Sequence, residues 1–194
     1  MKKLALIIAS VVMAGSLFAA EKAKGKKNDG LGMYAKLSTG YAFTAPDIDD
    51  VYCESNCFEL DPTFGLFPLK GNRNFALEAS LDMKFGGKDD YKTYVISPKV
   101  TGLFYIPLEA VLGIKNDMFT PYAGAGFALP IQTVDVDLGA FGSAKETRTT
   151  FKMELVAGCK FKINEKFAAT ADVTAGLFRP YEWSMRAGAI YTIK

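Results

Sequence analysis

Nine charged side chains recur on one side of an every-second-residue pattern: Lys36, Glu78, Asp82, Lys84, Lys152, Glu154, Lys160, Asp172 and Arg186. Their chemistry is ion pairing rather than catalysis. The chain contains no histidine, so the commonest general base and the histidine-dependent triads are missing. No spacing of Asp and Glu points to a reaction, and the expectation is a protein that is not an enzyme. The three cysteines are Cys53, Cys57 and Cys159. Cys53 and Cys57 flank Glu-Ser-Asn, and in an oxidising compartment they are candidates for a local disulfide or for free thiols. A metal site is weak without histidine. Cys159 reads as a small apolar residue. Neither metal nor cofactor is expected.

The charged positions alternate with apolar ones, the signature of strands with one apolar face. In 31–43, Met33, Ala35, Leu37, Thr39, Tyr41 and Phe43 oppose Tyr34, Lys36, Ser38 and Gly40. The same alternation runs through 75–86, 148–163, 167–178 and 183–194, and more loosely through 119–131. Those are six strands, and 91–115 has room for two more around a turn near Pro98, Gly102 or Pro107. The expected total is eight, an even number suited to an antiparallel up-and-down transmembrane β-barrel of the all-β class. A long loop is expected at 44–74, a longer one at 132–147, and short turns at 86–90, 115–117 and 164–166.

Aromatic spacing separates a membrane barrel from a soluble one. Phe75 and Phe85 lie ten residues apart on one face, as do Phe151 and Phe161; Phe167 with Leu177, and Trp183 with Tyr191, roughly repeat the interval. Ten tilted strand residues cover roughly 23 Å along a bilayer normal. That is close to the apolar band of about 25 Å edged by aromatic girdles. Phe75, Phe85, Phe151, Phe161, Phe167, Trp183 and Tyr191 are the expected girdle. The nine charges would then face a narrow lumen, where they must pair. The alternative is a lipocalin-like soluble ligand binder with the charges outside.

The start of the chain fits export. Met1-Lys2-Lys3, an apolar run from Leu4 to Met13 and small residues to Ala20 describe a signal peptide over 1–20. A lysine-rich tail over 21–30 and a barrel domain over 31–194 follow. Without Lys2 and Lys3 the remaining chain has 21 basic and 21 acidic side chains, which argues against a nucleic-acid partner.

Thr120-Pro121-Tyr122-Ala123-Gly124-Ala125-Gly126-Phe127 resembles a strand motif of the small outer-membrane barrel superfamily that includes OmpA, OmpX, OmpW and the opacity proteins. Leu155-Val156-Ala157-Gly158-Cys159-Lys160-Phe161 and Arg186-Ala187-Gly188-Ala189-Ile190-Tyr191 add to the resemblance. It implies residence in the cell outer membrane, periplasmic termini and extracellular loops. One departure is the end Tyr191-Thr192-Ile193-Lys194, where such barrels usually finish on an aromatic residue.

An eight-stranded barrel is about wide enough for its own side chains or one small ligand, so a general pore is not expected. The partners expected are outer-membrane lipid and a host or surface ligand met through loop 44–74, with the chain monomeric. That loop carries Asp47, Asp49, Asp50, Glu54, Glu59 and Asp61, with Phe58, Phe64, Leu66 and Phe67 adding apolar character. The expected role is structural or surface interaction (adhesion-like). The alternative is OmpW-like transport of small hydrophobic molecules.

Overall fold

The computed structural model describes residues 32–44, 57–68, 74–88, 91–108, 113, 118–137, 139, 142–178 and 182–193. Ten strands run through them: β1 (Gly32–Thr44), β2 (Cys57–Phe67), β3 (Phe75–Lys88), β4 (Tyr91–Tyr105), β5 (Phe119–Ala128), β6 (Ile131–Asp137), β7 (Ser143–Thr149), β8 (Lys152–Lys162), β9 (Phe167–Gly176) and β10 (Glu182–Ile193). All pairs are antiparallel. β1 joins β2 and β10, β3 joins β4, and the ring closes through β5, β8 and β9. The closed barrel therefore has eight strands. The described helical residues include none long and apolar enough to cross a membrane.

The two remaining strands form a hairpin that prolongs β5 and β8 past the barrel. β6 continues β5 after Leu129-Pro130 and pairs with the first residues of β4, from Tyr91↔Val136 to Ile96↔Ile131. β7 returns along β6 and leads into β8 after Thr150-Phe151. At its tip Gly139 and Gly142 hold φ of 62° and 94°, a region glycine enters without steric cost. The Gly139 N–H donates to Asp137 Oδ1 at 2.8 Å, and the Gly142 N–H to the Gly139 carbonyl at 3.1 Å.

Two expectations about the strands need correction. The stretch 44–74 is not one loop, because β2 occupies its middle. Nor does 91–115 hold two strands: β4 runs unbroken from Tyr91 to Tyr105 through both Pro98 and Gly102. The errors cancel, so the barrel total is still eight. Proline is the physical reason for both. Pro62 and Pro98 each remove a ladder donor and imitate a turn in sequence. Pro62 still takes its place opposite Leu37 in the β1–β2 ladder, while the β2–β3 ladder breaks at Asp61 and Pro62. Pro98 stands opposite Leu81, and its carbonyl accepts the Leu129 N–H at 3.0 Å. The expected connections redistribute with this. The connection at 89–90 lies at the same end as 45–56, the β6–β7 hairpin and 177–181. Gly32 of β1, Ile193 of β10 and the connections 68–74, 106–118 and 163–166 share the other end. Likewise 132–147 is a hairpin of paired strands rather than a loop.

Side chains sort by parity around the ring. Leu37, Leu77, Val100, Phe127, Leu155, Val173 and Met185 are exposed on the outside. Lys36, Glu59, Glu78, Asp82, Lys99 and Arg186 are buried inside. This is the inverse of a soluble barrel, whose charged face would meet water and whose apolar face would fill the lumen.

Candidate functional site

Each strand contributes inward side chains at alternate positions, and the lumen they fill has layers. Nearest the termini, rings from four strands close the bore. Tyr34 and Phe67 have ring centroids 5.5 Å apart, Phe67 and Tyr105 5.9 Å, and Tyr105 and Tyr122 5.4 Å. Leu103, Val156, Ala168 and Ile190 pack with them. Lys160 extends its ammonium over the Tyr105 ring, 5.0 Å from its centroid, a cation–π contact. Glycines make the room. A Cβ on Gly65 would fall on the Tyr34 ring, and one on Gly158 would come within 2.8 Å of the Tyr122 ring.

The plug is tied to the charges beyond it. Tyr34 Oη donates to Glu78 Oε1 at 2.8 Å, and Lys36 Nζ donates to Glu78 Oε2 at 2.7 Å. Tyr122 Oη donates to Asp172 Oδ2 at 2.9 Å. Arg186 is the hub of the middle layer. Its Nε donates to Asp172 Oδ1 at 2.7 Å and its Nη1 to Asp61 Oδ2, also at 2.7 Å; Glu59 Oε1 lies 3.4 Å from Nη1. Lys99 sits 3.3 Å from Asp61 and 3.7 Å from Glu154. At the far end Lys84 pairs with Asp82 at 3.3 Å and with Glu182, and Lys152 Nζ donates to Glu182 Oε2 at 2.8 Å. Among the described residues the lumen thus holds seven carboxylates, of Glu59, Asp61, Glu78, Asp82, Glu154, Asp172 and Glu182. Fork geometry suits Arg186 to its place, since a guanidinium can bond several carboxylates at once.

All nine charged positions singled out from alternation lie in this lumen, joined there by Glu59, Asp61, Lys99 and Glu182. Glu59 and Asp61 fall in the stretch expected as a loop, and Lys99 follows Pro98, one of the candidate turn positions. Their signal was present in Cys57-Phe-Glu-Leu-Asp-Pro-Thr-Phe-Gly-Leu-Phe67, where Phe58, Leu60, Phe64 and Leu66 alternate with Cys57, Glu59, Asp61, Thr63 and Gly65. Cys57 has a free, buried thiol, and Cys159 is also free. Cys53 lies outside the described residues, as do Asp47, Asp49, Asp50, Glu54, the 1–20 signal segment and the 21–30 tail.

The outer surface carries aromatic residues in two rows. Toward the hairpin end, Tyr41 meets Phe58, Phe85 meets Tyr94, Phe127 stacks on Phe151 at 5.7 Å, and Trp183 stacks on Phe43 at 4.4 Å. Toward the terminal end Phe119 meets Phe161 at 5.2 Å and Phe167 meets Tyr191 at 5.2 Å. Phe75 faces Phe104 in that row. Between the rows the surface is smooth, with Ala157, Ala171 and Ala187 standing among Leu37, Leu77 and Val173.

A barrel with charges inside, apolar residues outside and two aromatic rows matches a known family. Residues 8–184 fit the outer membrane protein beta-barrel domain. The chain belongs to that family. No curated protein matches it. Among solved structures it is similar to Neisserial surface protein A (NspA), with a TM-score of 0.59 and 12% identity over 85% of this chain and 99% of that one. Ail, the attachment invasion locus protein of Yersinia pestis, is similar at a TM-score of 0.54 and 13% identity, covering 86% of this chain and 99% of that one. The N-terminal barrel of Pseudomonas aeruginosa OprF gives a TM-score of 0.52 and 13% identity over 84% and 99%. Identities this low speak for the fold alone. The family makes the chain an outer-membrane β-barrel protein, and its outer surface the face toward lipid. The soluble lipocalin-like alternative is thereby set aside.

Proposed function

We propose that the chain is a non-enzymatic membrane anchor, a filled barrel that carries surface-contact elements at its hairpin end. The termini then face the periplasm, and segment 45–56, the β6–β7 hairpin and 177–181 face the cell exterior. The observation that carries this reading is the packed lumen. The ring plug and the Arg186 hub occupy the bore with side chains already bonded to one another, which suits an anchor better than a general pore. The hairpin supports the second half of the proposal. It prolongs the sheet beyond the barrel, and β7 is exposed along nearly its whole length. Ail, of similar fold, has been solved with the heparin analogue sucrose octasulfate. The contact surface suggested by sequence alone, 44–74, reduces to 45–56, because Glu59, Asp61 and Phe67 are spent inside the barrel.

The test is binding of cells that display the chain to host cells and to extracellular matrix proteins, before and after deletion of 133–147 and of 46–55. Heat-modifiable migration on a gel checks that each deleted barrel folds. Loss of binding with folding intact is the expected result. Unchanged binding in both deletions sinks the contact role. OmpW-like transport of a hydrophobic molecule is the weaker reading. Its route would need an apolar lumen at the outer end, and that end is lined by Lys84, Asp82, Glu182 and Lys152.

A further inference from the structure

Among the described residues the lumen does not balance its own charge. Its cations are Lys36, Lys84, Lys99, Lys152, Lys160 and Arg186, against the seven carboxylates named above. One negative charge is left over in a space where unpaired charge is costly.

The bonding pattern locates the surplus. Glu59 and Asp82 are each 1% exposed. Glu59 reaches Arg186 with one oxygen, and its Oε2 has no partner; Asp82 reaches Lys84 with one oxygen, and its Oδ1 has none. The two residues are neighbours. Glu59 of β2 stands opposite Lys84 of β3, and Asp82 is the next inward position along β3. The surrounding cations are shared with other carboxylates. Arg186 makes its short bonds to Asp172 and Asp61. Lys99 lies within ion-pair distance of Asp61 and Glu154, though its Nζ makes no hydrogen bond among the described residues. Lys84 is shared between Asp82 and Glu182.

We propose that Glu59 and Asp82 together bind one monovalent positive charge within the barrel, either an alkali metal ion or a proton. A divalent ion is disfavoured. One charge is missing, and Lys84 and Arg186 flank the pair. The groups facing the pair are Cys57 and Asp61 from β2, Lys84 from β3, Lys99 from β4, Glu154 from β8, Asp172 from β9, and Arg186 and Glu182 from β10.

The experiment is thermal unfolding of the full chain folded in detergent micelles. Sodium, potassium and N-methylglucamine chlorides are compared at equal ionic strength, and each series is repeated between about pH 6 and pH 9. An alkali-ion site raises the midpoint by about 3 °C or more in sodium or potassium over N-methylglucamine. Glu59→Gln and Asp82→Asn each abolish that rise. A proton site leaves the midpoint blind to the cation and raises it as pH falls. The rise is then lost in Glu59→Gln, which melts no lower than the parent. Asp82→Asn is read in the same way should Glu59→Gln fail to fold. A midpoint indifferent to both cation and pH overturns the proposal, as does any dependence that survives unchanged in the two variants.

Discussion

Arg186→Met removes the hub of the lumen while nearly preserving its length. Its cost follows from what each carboxylate keeps. Asp172 keeps the Tyr122 hydroxyl at 2.9 Å, and Asp61 keeps Lys99 at 3.3 Å. Glu59 keeps no cation within ion-pair distance among the described residues. Breaking a buried pair by deleting one partner costs about 3–5 kcal/mol. With one carboxylate orphaned and two half-supported, about 4 kcal/mol is the expected loss. At about 2–4 °C per kcal/mol for a chain of this size, the midpoint falls by roughly 10 °C. Arg186→Lys keeps the charge but gives up the fork, and recovers about half of the loss. The assay is urea unfolding in micelles followed by Trp183, the only tryptophan in the chain, which changes environment when it leaves Phe43. Combining Arg186→Met with Asp172→Asn should cost less than the sum of the two single changes, because the second relieves a stranded charge. A loss below about 1 kcal/mol for Arg186→Met, the size of a screened surface pair, would refute the argument. The lumen would then be wet enough for solvent to replace the guanidinium.

Three further outcomes are expected. Gly65→Ala places a methyl on the Tyr34 ring, displaces its bond to Glu78 and lowers stability by about 1–3 kcal/mol, read by the same urea titration. Ala171→Arg, on the smooth outer face midway between the aromatic rows, costs about 2–4 kcal/mol in phospholipid vesicles; a negligible effect would mean that this face does not meet the bilayer core. In a Cys159→Ser background, maleimide-polyethylene glycol labels Cys57 only after unfolding. Two labels per denatured, unreduced chain are expected, and none would establish a Cys53–Cys57 disulfide.

Period-two alternation was legible wherever the inward residues were charged and the outward ones large, as in β3, β8, β9 and β10. It failed where proline interrupted it. β2 reads as an acidic loop because Glu59, Asp61 and Pro62 crowd together, although Phe58, Leu60, Phe64 and Leu66 keep the period. β4 reads as two strands because Pro98 and Gly102 look like a turn. Both are settled by neighbours: Leu37 and Leu81 sit opposite the two prolines, and a ladder on one edge is enough to hold a strand straight. The nine charges were visible one at a time, whereas their pairing was not. Arg186 and Asp61 are 125 positions apart in sequence, and only ring closure brings them together. Tyr105 and Tyr122 of the plug were hidden by the misplaced β4 and by the looser alternation of β5.

The β1–β10 seam has a kinetic consequence. The first and last strands pair along twelve positions, from Met33↔Ile193 to Thr44↔Glu182. The contacts that seal the ring are therefore among the longest-range in the chain, and such closure is slow. Until β10 docks, β1 and β9 each present a long row of unpaired amides and carbonyls, which hydrocarbon does not tolerate. A ribosome delivers β10 last, so no partial barrel can wait stably in the bilayer for it. Insertion and closure must then happen as one event, on a chain kept unfolded until its final strand is made.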